Sequence, residues 1–193
     1  FDAEYLFYKQ AGSVLSIGLQ TGFDVETGKV TVSNKDYYAG DLALSFDGDN
    51  STYEYAFDFG LYTEDYYGNV LGPDAEGLYK VESFFGFVTG WNNGVYSGHT
   101  VSNPFAMASG TLFTGDITND AGSFGDSYYR MVSFNLDDIY GLDFTGLDVH
   151  WTMSCGNDAI DGSAPASVPE PATMVLLGSG LIGLALYRRK IKK

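Results

Sequence analysis

The sequence predicts an all-β protein: an antiparallel β-sandwich of the jelly-roll type, followed by a single C-terminal transmembrane helix. Three observations support this fold class. Roughly ten short apolar runs recur at intervals of about 10 to 15 residues, separated by Gly, Asn and Asp. The 193 residues include 25 Gly and 15 Tyr, which is typical of short strands and tight turns. Before residue 172, no segment has the periodicity of an amphipathic helix of ordinary length.

Five strands are predicted in the first third of the chain. They cover residues 4–8, 14–19, 29–32, 41–46 and 53–59. Residues 53–59 give the clearest signal, because aromatic side chains at the odd positions alternate with Glu, Ala and Asp. A strict period of two predicts one buried face and one face in water. An antiparallel sheet offers such faces, whereas a parallel sheet is buried on both sides.

Four more strands are predicted after a polar loop at residues 60–77. They cover residues 79–88, 110–113, 128–136 and 147–155, and Phe84–Phe87 is the expected centre of the first. Asn93–Gly94 is typical of a type I′ turn at a hairpin tip. In the last strand the bulky apolar residues occupy the odd positions. The predicted buried face therefore consists of Leu147, Val149, Trp151, Met153 and Cys155.

The charge of the chain is strongly negative. It has 25 acidic and 10 basic residues, and Glu170 and five of the basic residues lie in the C-terminal tail. The preceding domain therefore carries 24 acids and 5 bases, a net charge of −19. Such a charge excludes a nucleic-acid partner, because phosphates would be repelled, and it keeps an exported protein soluble.

Cysteine and histidine chemistry is sparse. The single Cys excludes an internal disulfide, and Cys155 is predicted to be a small buried hydrophobe. His150 lies five positions earlier, so a regular strand places the two on opposite faces and a catalytic dyad is not expected. His99 and His150 are both predicted to be surface residues. We therefore expect no enzymatic activity, and a hydrolase with paired carboxylates is only the third hypothesis.

Two ligand sites are alternative hypotheses. Calcium needs six to eight oxygen ligands, which acidic turns can supply. Its candidate ligands are Asp47, Asp49, Asp116 and Asp120. Asp and Asn also stabilise turns without metal, so this pattern is not specific. Sugar rings could stack on loop aromatics next to Asn and Asp. The candidates for sugar binding are Tyr66, Tyr67, Trp91 and Tyr96.

The C-terminal tail has three parts in order. Val168, Pro169, Glu170 and Pro171 come first, and residues 172–187 follow without a charge. The end is basic and contains Arg188, Arg189, Lys190, Lys192 and Lys193. As a helix, residues 172–187 would span about 24 Å, slightly less than the bilayer core of roughly 30 Å. The basic cluster predicts that the C-terminus stays cytoplasmic while the domain is translocated.

This tail resembles the PEP-CTERM sorting signal of surface proteins from Gram-negative bacteria. The resemblance implies recognition at Pro169–Pro171 by exosortase, a membrane cysteine peptidase, and removal of the tail. It also implies an inner-membrane-anchored precursor, then delivery to the cell surface or to an exopolysaccharide-rich matrix of a biofilm. Residues 150–158 also resemble a segment that recurs in such proteins, and no activity is attached to that segment.

The expected organisation is one extracytoplasmic domain at residues 1–162, a Ser/Ala/Pro linker at 163–168 and the sorting signal at 169–193. Because a translocated protein needs a leader, we expect a signal peptide to have been removed before Phe1. The expected role is structural or adhesive, and a carbohydrate- or calcium-binding module is the alternative.

Overall fold

The computed structural model describes residues 2–71, 75–96, 99–100, 102–113, 115–139 and 141–166. This part of the chain is all-β, as predicted, with one 3₁₀ turn at Leu136–Asp138. The first nine strands are β1 (Ala3–Ala11), β2 (Val14–Thr21), β3 (Lys29–Val32), β4 (Lys35–Tyr38), β5 (Leu42–Ser45), β6 (Tyr55–Asp58), β7 (Gly77–Val81), β8 (Ser83–Phe84) and β9 (Phe87–Val88). The others are β10 (Trp91–Asn92), β11 (Val95–Tyr96), β12 (His99–Thr100), β13 (Ala106–Met107), β14 (Gly110–Leu112), β15 (Ile117–Phe124), β16 (Ser127–Asn135), β17 (Gly146–Thr152) and β18 (Ala159–Pro165).

Two antiparallel sheets form the body of the protein. One has four strands in the order β1-β2-β16-β15, and the other has six in the order β14-β7-β6-β5-β17-β18. The order β17-β5-β6-β7 is that of a Greek key, in which a returning strand lies beside the first. A jelly roll contains two such keys. The four-stranded sheet instead joins two hairpins side by side through β2 and β16, so its connectivity differs from that of a jelly roll.

The facing sides of the two sheets share one hydrophobic core. Leu15, Ile17 and Leu19 alternate along β2 and are all buried in it. The ring of Phe57 on the six-stranded sheet stacks on Phe134 of the four-stranded sheet, with 6.2 Å between centroids. The predicted apolar face of β17 and its continuation to Cys155 is confirmed, because all five residues belong to this core.

A second, smaller core covers the outer face of the six-stranded sheet. The described residues between 82 and 109, which we call the excursion, lead back to this face. Met107 from the excursion packs with Ala56, Tyr79 and Val81 of the sheet. Gly40 permits the approach, since a Cβ there would lie 2.1 Å from the carbonyl oxygen of Phe105. The prediction that residues 53–59 have one face in water is therefore wrong, because Ala56 and Asp58 are also buried.

The predicted strand at residues 79–88 is divided into two elements. The β7 strand ends at Val81, and β8 and β9 form a separate hairpin that turns at Phe85 and Gly86. Both turn residues have positive φ, +49° and +82°. The three phenylalanines of this hairpin point into solvent, and Phe85 is 85% exposed. Phe84–Phe87 therefore forms the exposed tip of a hairpin, whereas it was predicted to be the centre of a strand.

Replacing Phe85 with asparagine is expected to stabilise the protein by about 0.5–1 kcal/mol. Phe85 adopts a left-handed conformation that is costly for a bulky residue, and Asn-Gly is the preferred pair for a type I′ turn. Urea denaturation of the full chain would measure the change. Phe85→Ala is the matched control, since it removes the ring without supplying a residue that favours positive φ. An unchanged or lower midpoint for Phe85→Asn would contradict the prediction.

The predicted hairpin at Asn93–Gly94 is also corrected. Trp91–Asn92 pairs with Ala106–Met107, whereas Val95–Tyr96 pairs with His99–Thr100. Asn93–Gly94 therefore connects two separate ladders. A Cβ at Gly94 would lie 2.6 Å from the carbonyl oxygen of Ser102, so this glycine serves a close backbone approach.

The last predicted strand was residues 147–155, and β18 is an additional strand that follows it. The β18 strand continues to Pro165, which is paired with Gly146, and the amide of Ala166 donates to the Thr145 carbonyl at 3.4 Å. Three residues of the predicted linker at 163–168 are therefore part of the sheet, because small residues fit an edge strand as well as a linker. Residues 167–193, with the sorting signal, lie outside the described residues. No helix in the described part of the chain is long and apolar enough to cross a membrane.

Candidate functional site

The outer face of the four-stranded sheet carries three cross-strand rows of side chains. The rows are Tyr5–Gln20–Tyr129, Phe7–Gly18–Met131 and Lys9–Ser16–Ser133. They share one face because alternate residues of a strand point to the same side. A groove of about 490 Å³ lies along them, and its volume is within the range of roughly 300–1,000 Å³ for ligand sites.

Glycine forms the floor of this groove, and aromatic rings and a thioether form its walls. A Cβ at Gly18 would be 3.6 Å from the Cβ of Phe7, so the space above Gly18 is open on the remaining sides. The rings of Tyr5 and Phe7 lie side by side with 5.9 Å between centroids, and they are 58% and 55% exposed. Met131 stands on the opposite wall two strands away, which is roughly 10 Å at the usual strand spacing, and the ring of Tyr129 on the same strand leans over Gly122 of β15.

Polar groups border the apolar centre. The hydroxyl of Ser133 donates to the Ser16 hydroxyl at 2.8 Å, and the ammonium of Lys9 belongs to the same row. At the other end, the Gln20 amide donates to a Glu4 carboxylate oxygen at 2.7 Å. An apolar surface edged by a few oriented polar groups is typical of a ligand-binding site.

The aromatic residues predicted to bind sugar lie in two other places. The Trp91 ring packs against the small core and its indole N–H donates to the Tyr53 carbonyl at 2.8 Å, so Trp91 has a structural role. Tyr66 packs against the main core and lies under the Lys35 ammonium, 4.1 Å from its ring centroid. Tyr67 is exposed beside Tyr66, and the side chain of Tyr96 lies outside the described part of the chain.

The candidate calcium ligands do not form a cluster in the structure. Asp47 and Asp49 cap the turn after β5, where their carboxylates accept the backbone amides of Asp49 and Ser51 at 2.9 Å each. Hydrogen bonds from Ser51 lower the pKa of Asp49. Asp116 precedes β15 and Asp120 lies within it. Among the described residues, no group of three or more His, Cys, Asp or Glu side chains could hold a metal ion.

The prediction that His150 is a surface residue is wrong. The excursion covers its ring, and its side chain is buried. Its Nδ1 is 2.7 Å from a carboxylate oxygen of Asp161, and its Nε2 is 3.2 Å from the Ser102 hydroxyl. Tyr53 completes the network, with its ring centroid 5.8 Å from that of His150. Burial, the nearby carboxylates of Asp161 and Asp148 and a hydrogen bond to Asp161 raise the pKa of Tyr53 to about 12.

Serine, imidazole and carboxylate in this order can activate a nucleophile. In such sites the carboxylate that orients the imidazole is buried, whereas the side chain of Asp161 is 71% exposed. The network also joins segments distant in sequence, because Ser102 belongs to the excursion and His150 and Asp161 to paired strands. We interpret it as a clamp that holds the excursion on the sheet. The spacing of these residues along the chain did not predict this network.

Cys155 is buried and its thiol donates to the side-chain oxygen of Asn157 at 2.6 Å. Burial raises the pKa of this thiol, which lowers its thiolate fraction at any pH below that pKa. We expect a thiol reagent such as 5,5′-dithiobis(2-nitrobenzoate) at pH 8 to react with Cys155 only after unfolding in urea. Rapid stoichiometric reaction of the folded protein would contradict this expectation. The unfolded chain provides the positive control.

The described residues and the charge of the sequence define the class of the folded part as an acidic, all-β domain. A family model described as the PEP-CTERM protein-sorting motif matches residues 167–190. The chain therefore carries a PEP-CTERM sorting motif at these residues, as the sequence resemblance predicted. No curated protein and no solved structure matches the chain.

The match covers the four residues of the Val168–Pro171 motif and the basic positions as far as Lys190. Such a motif indicates an exported protein that is handled at the membrane, with exosortase as its processing partner.

Proposed function

We propose that the protein has a structural or adhesive role at the cell surface or in an extracellular polysaccharide matrix. The observation that supports this role is the exposed apolar strip on the four-stranded sheet. Large exposed apolar patches on otherwise soluble proteins usually contact a partner, and Tyr5, Phe7 and Met131 are all exposed on this face. The remaining surface is acidic, which keeps the exported domain soluble.

The tail provides temporary attachment in this proposal. Residues 172–187 form a short transmembrane helix that anchors the precursor in the inner membrane, and residues 188–193 stay in the cytoplasm. Among the described residues of the β-sandwich, the last one in the core is Ala164, which precedes the sorting motif. Removing the tail therefore changes the location of the protein and leaves its fold intact.

The proposed role can be tested by comparing cells that make the full chain with cells that make a chain ending at Ala166. With the full chain, we expect the protein in the surface or matrix fraction and stronger cell aggregation. With the shortened chain, we expect folded protein in the medium or periplasm and no gain in aggregation. Equal aggregation in both strains, or aggregation unaffected by deleting the whole gene, would contradict the structural or adhesive role.

We also propose that the protein is not an enzyme, and Ser102 gives this proposal a direct test. A fluorophosphonate probe is expected to leave Ser102 unmodified, since the exposed Asp161 does not provide the buried carboxylate of a nucleophilic triad. Intact mass after incubation would detect an adduct, with a known serine hydrolase as the positive control. An adduct that disappears in Ser102→Ala would instead support the hydrolase hypothesis.

A further inference from the structure

We propose that the groove on the outer face of the four-stranded sheet binds a neutral glycan chain, with one sugar ring seated over Gly18. This inference rests on the proposed function and names the ligand class of its exposed face. It moves the sugar site away from Tyr66, Tyr67, Trp91 and Tyr96, to residues that the β2–β16 pairing brings together.

The shape of the groove suits a flat, partly apolar ring. Gly18 leaves a depression between the Phe7 wall on β1 and the Met131 wall on β16. A pyranose ring has faces of C–H groups, which are attracted to the electron-rich faces of aromatic rings. The ring of Phe7 can offer such a face beside Gly18, and the neighbouring ring of Tyr5 lengthens the strip for a second sugar unit.

The border of the groove suits hydroxyl groups. Ser16 and Ser133 each have a hydroxyl that can donate as well as accept. The Lys9 ammonium in the same row is a donor, and the Gln20 carbonyl at the opposite end is an acceptor. Sugar hydroxyls act as both donors and acceptors, so they can bond along both edges while the ring covers the apolar centre.

Charge decides in favour of a neutral glycan. The described residues that line the groove itself include no acid, whereas Glu4 at its end and Asp120 beside Met131 add to the domain's net charge of −19. The field of this charge repels a polyanion at long range, whereas it does not affect an uncharged chain. The lining also lacks the pair of carboxylates that glycoside hydrolysis requires. The groove is therefore a site that binds a glycan without cleaving it.

Gly18 provides a variant that fills the groove without harming the fold. A Cβ at this position makes only ordinary van der Waals contacts, the nearest being 3.6 Å from Phe7. Valine also favours strands, whereas glycine weakens them. Gly18→Val should thus fold at least as well as the wild type while it occupies the sugar position. Phe7→Ala removes one wall instead, and Phe85→Ala removes a still more exposed ring outside the groove.

The test is affinity electrophoresis and calorimetry of the full chain in a detergent without a sugar headgroup. The probes are the neutral and the acidic fractions of the exopolysaccharide from the producing bacterium, separated by anion exchange. We expect the neutral fraction to bind the wild type and Phe85→Ala equally. Gly18→Val and Phe7→Ala should bind about tenfold more weakly or not at all.

Binding to neither fraction, binding only to the acidic fraction, or full binding by Gly18→Val would each overturn the proposal. Urea denaturation of each variant would show that a loss of binding is not a loss of fold. Failure of this site leaves the adhesive role intact if the full chain still promotes aggregation. If the full chain neither binds the glycan nor promotes aggregation, the adhesive role is overturned as well.

Discussion

Replacing Trp151 with alanine is expected to lower the free energy of unfolding by about 3–5 kcal/mol, the usual cost of deleting a large buried aromatic side chain. Trp151 is fully buried near the C-terminal end of β17. Its ring meets Phe23 edge-on with 6.0 Å between centroids, and its indole N–H donates to the Gly40 carbonyl at 3.1 Å. The substitution would leave a cavity and an unpaired buried carbonyl.

Trp151→Phe is the matched control for this prediction. It keeps an aromatic ring in the core and removes the hydrogen bond to Gly40, so we expect a smaller loss than for alanine. Urea denaturation followed by circular dichroism would measure both variants. A loss below about 1 kcal/mol for Trp151→Ala would show that the main core is not organised around this side chain.

Replacing Arg130 with methionine is expected to cost about 3 kcal/mol, because a buried acceptor that loses its donor costs about 1–3 kcal/mol. The buried guanidinium donates to the carbonyls of Val25 and Glu26 and to the Asn119 side chain, at 2.8 to 2.9 Å. It also lies 4.9 Å from the ring centroid of Phe59. Methionine fills much of the same volume and leaves all three acceptors without this donor.

Burial lowers the pKa of Arg130, while the charges of Glu76, Glu26 and Asp24 raise it. The group stays charged at any pH in ordinary use. Arg130→Lys keeps the charge and offers one compact ammonium instead of a planar fork, so it should retain only part of the stability. If Arg130→Met were as stable as the wild type in urea, the assigned hydrogen bonds would not contribute to folding.

Local alternation predicted the core face of β17, and the structure shows the same alternation along β2. Leu15, Ile17 and Leu19 on β2, and Val149 and Trp151 on β17, face inward as the period of two requires. Each of these strands has one face toward the shared core, so the local pattern contains the information. The boundaries of β3 at Lys29–Val32 were also predicted, since a glycine precedes it and a Ser-Asn turn follows it.

The burial of the second face could not be predicted from the local pattern. Ala56 and His150 are covered by the excursion, whose docking depends on contacts such as that of the Met107 amide with an Asp41 carboxylate oxygen, 2.7 Å long. The local sequence of a strand does not show whether a segment distant in the chain will cover its polar face. The turn at Phe85 was missed for another reason, since phenylalanine rarely adopts positive φ.

The groove was missed because it exists only after distant strands pair. Phe7 and Gly18 belong to one hairpin, whereas Met131 reaches them through the pairing of β16 with β2. The sequence shows that Phe7 and Gly18 each lie in a predicted strand. It does not indicate which strands are neighbours, and the cross-strand row depends on that register.

The sorting account is tested most directly by the intact mass and the cell fraction of the protein in cells with and without exosortase. With exosortase, we expect a protein that lacks the tail from about the Pro169–Pro171 motif onward and leaves the inner membrane. Without exosortase, we expect the full C-terminus to be retained and the protein to stay in the inner-membrane fraction. A tail that persists in both strains, with an unchanged location, would contradict the account.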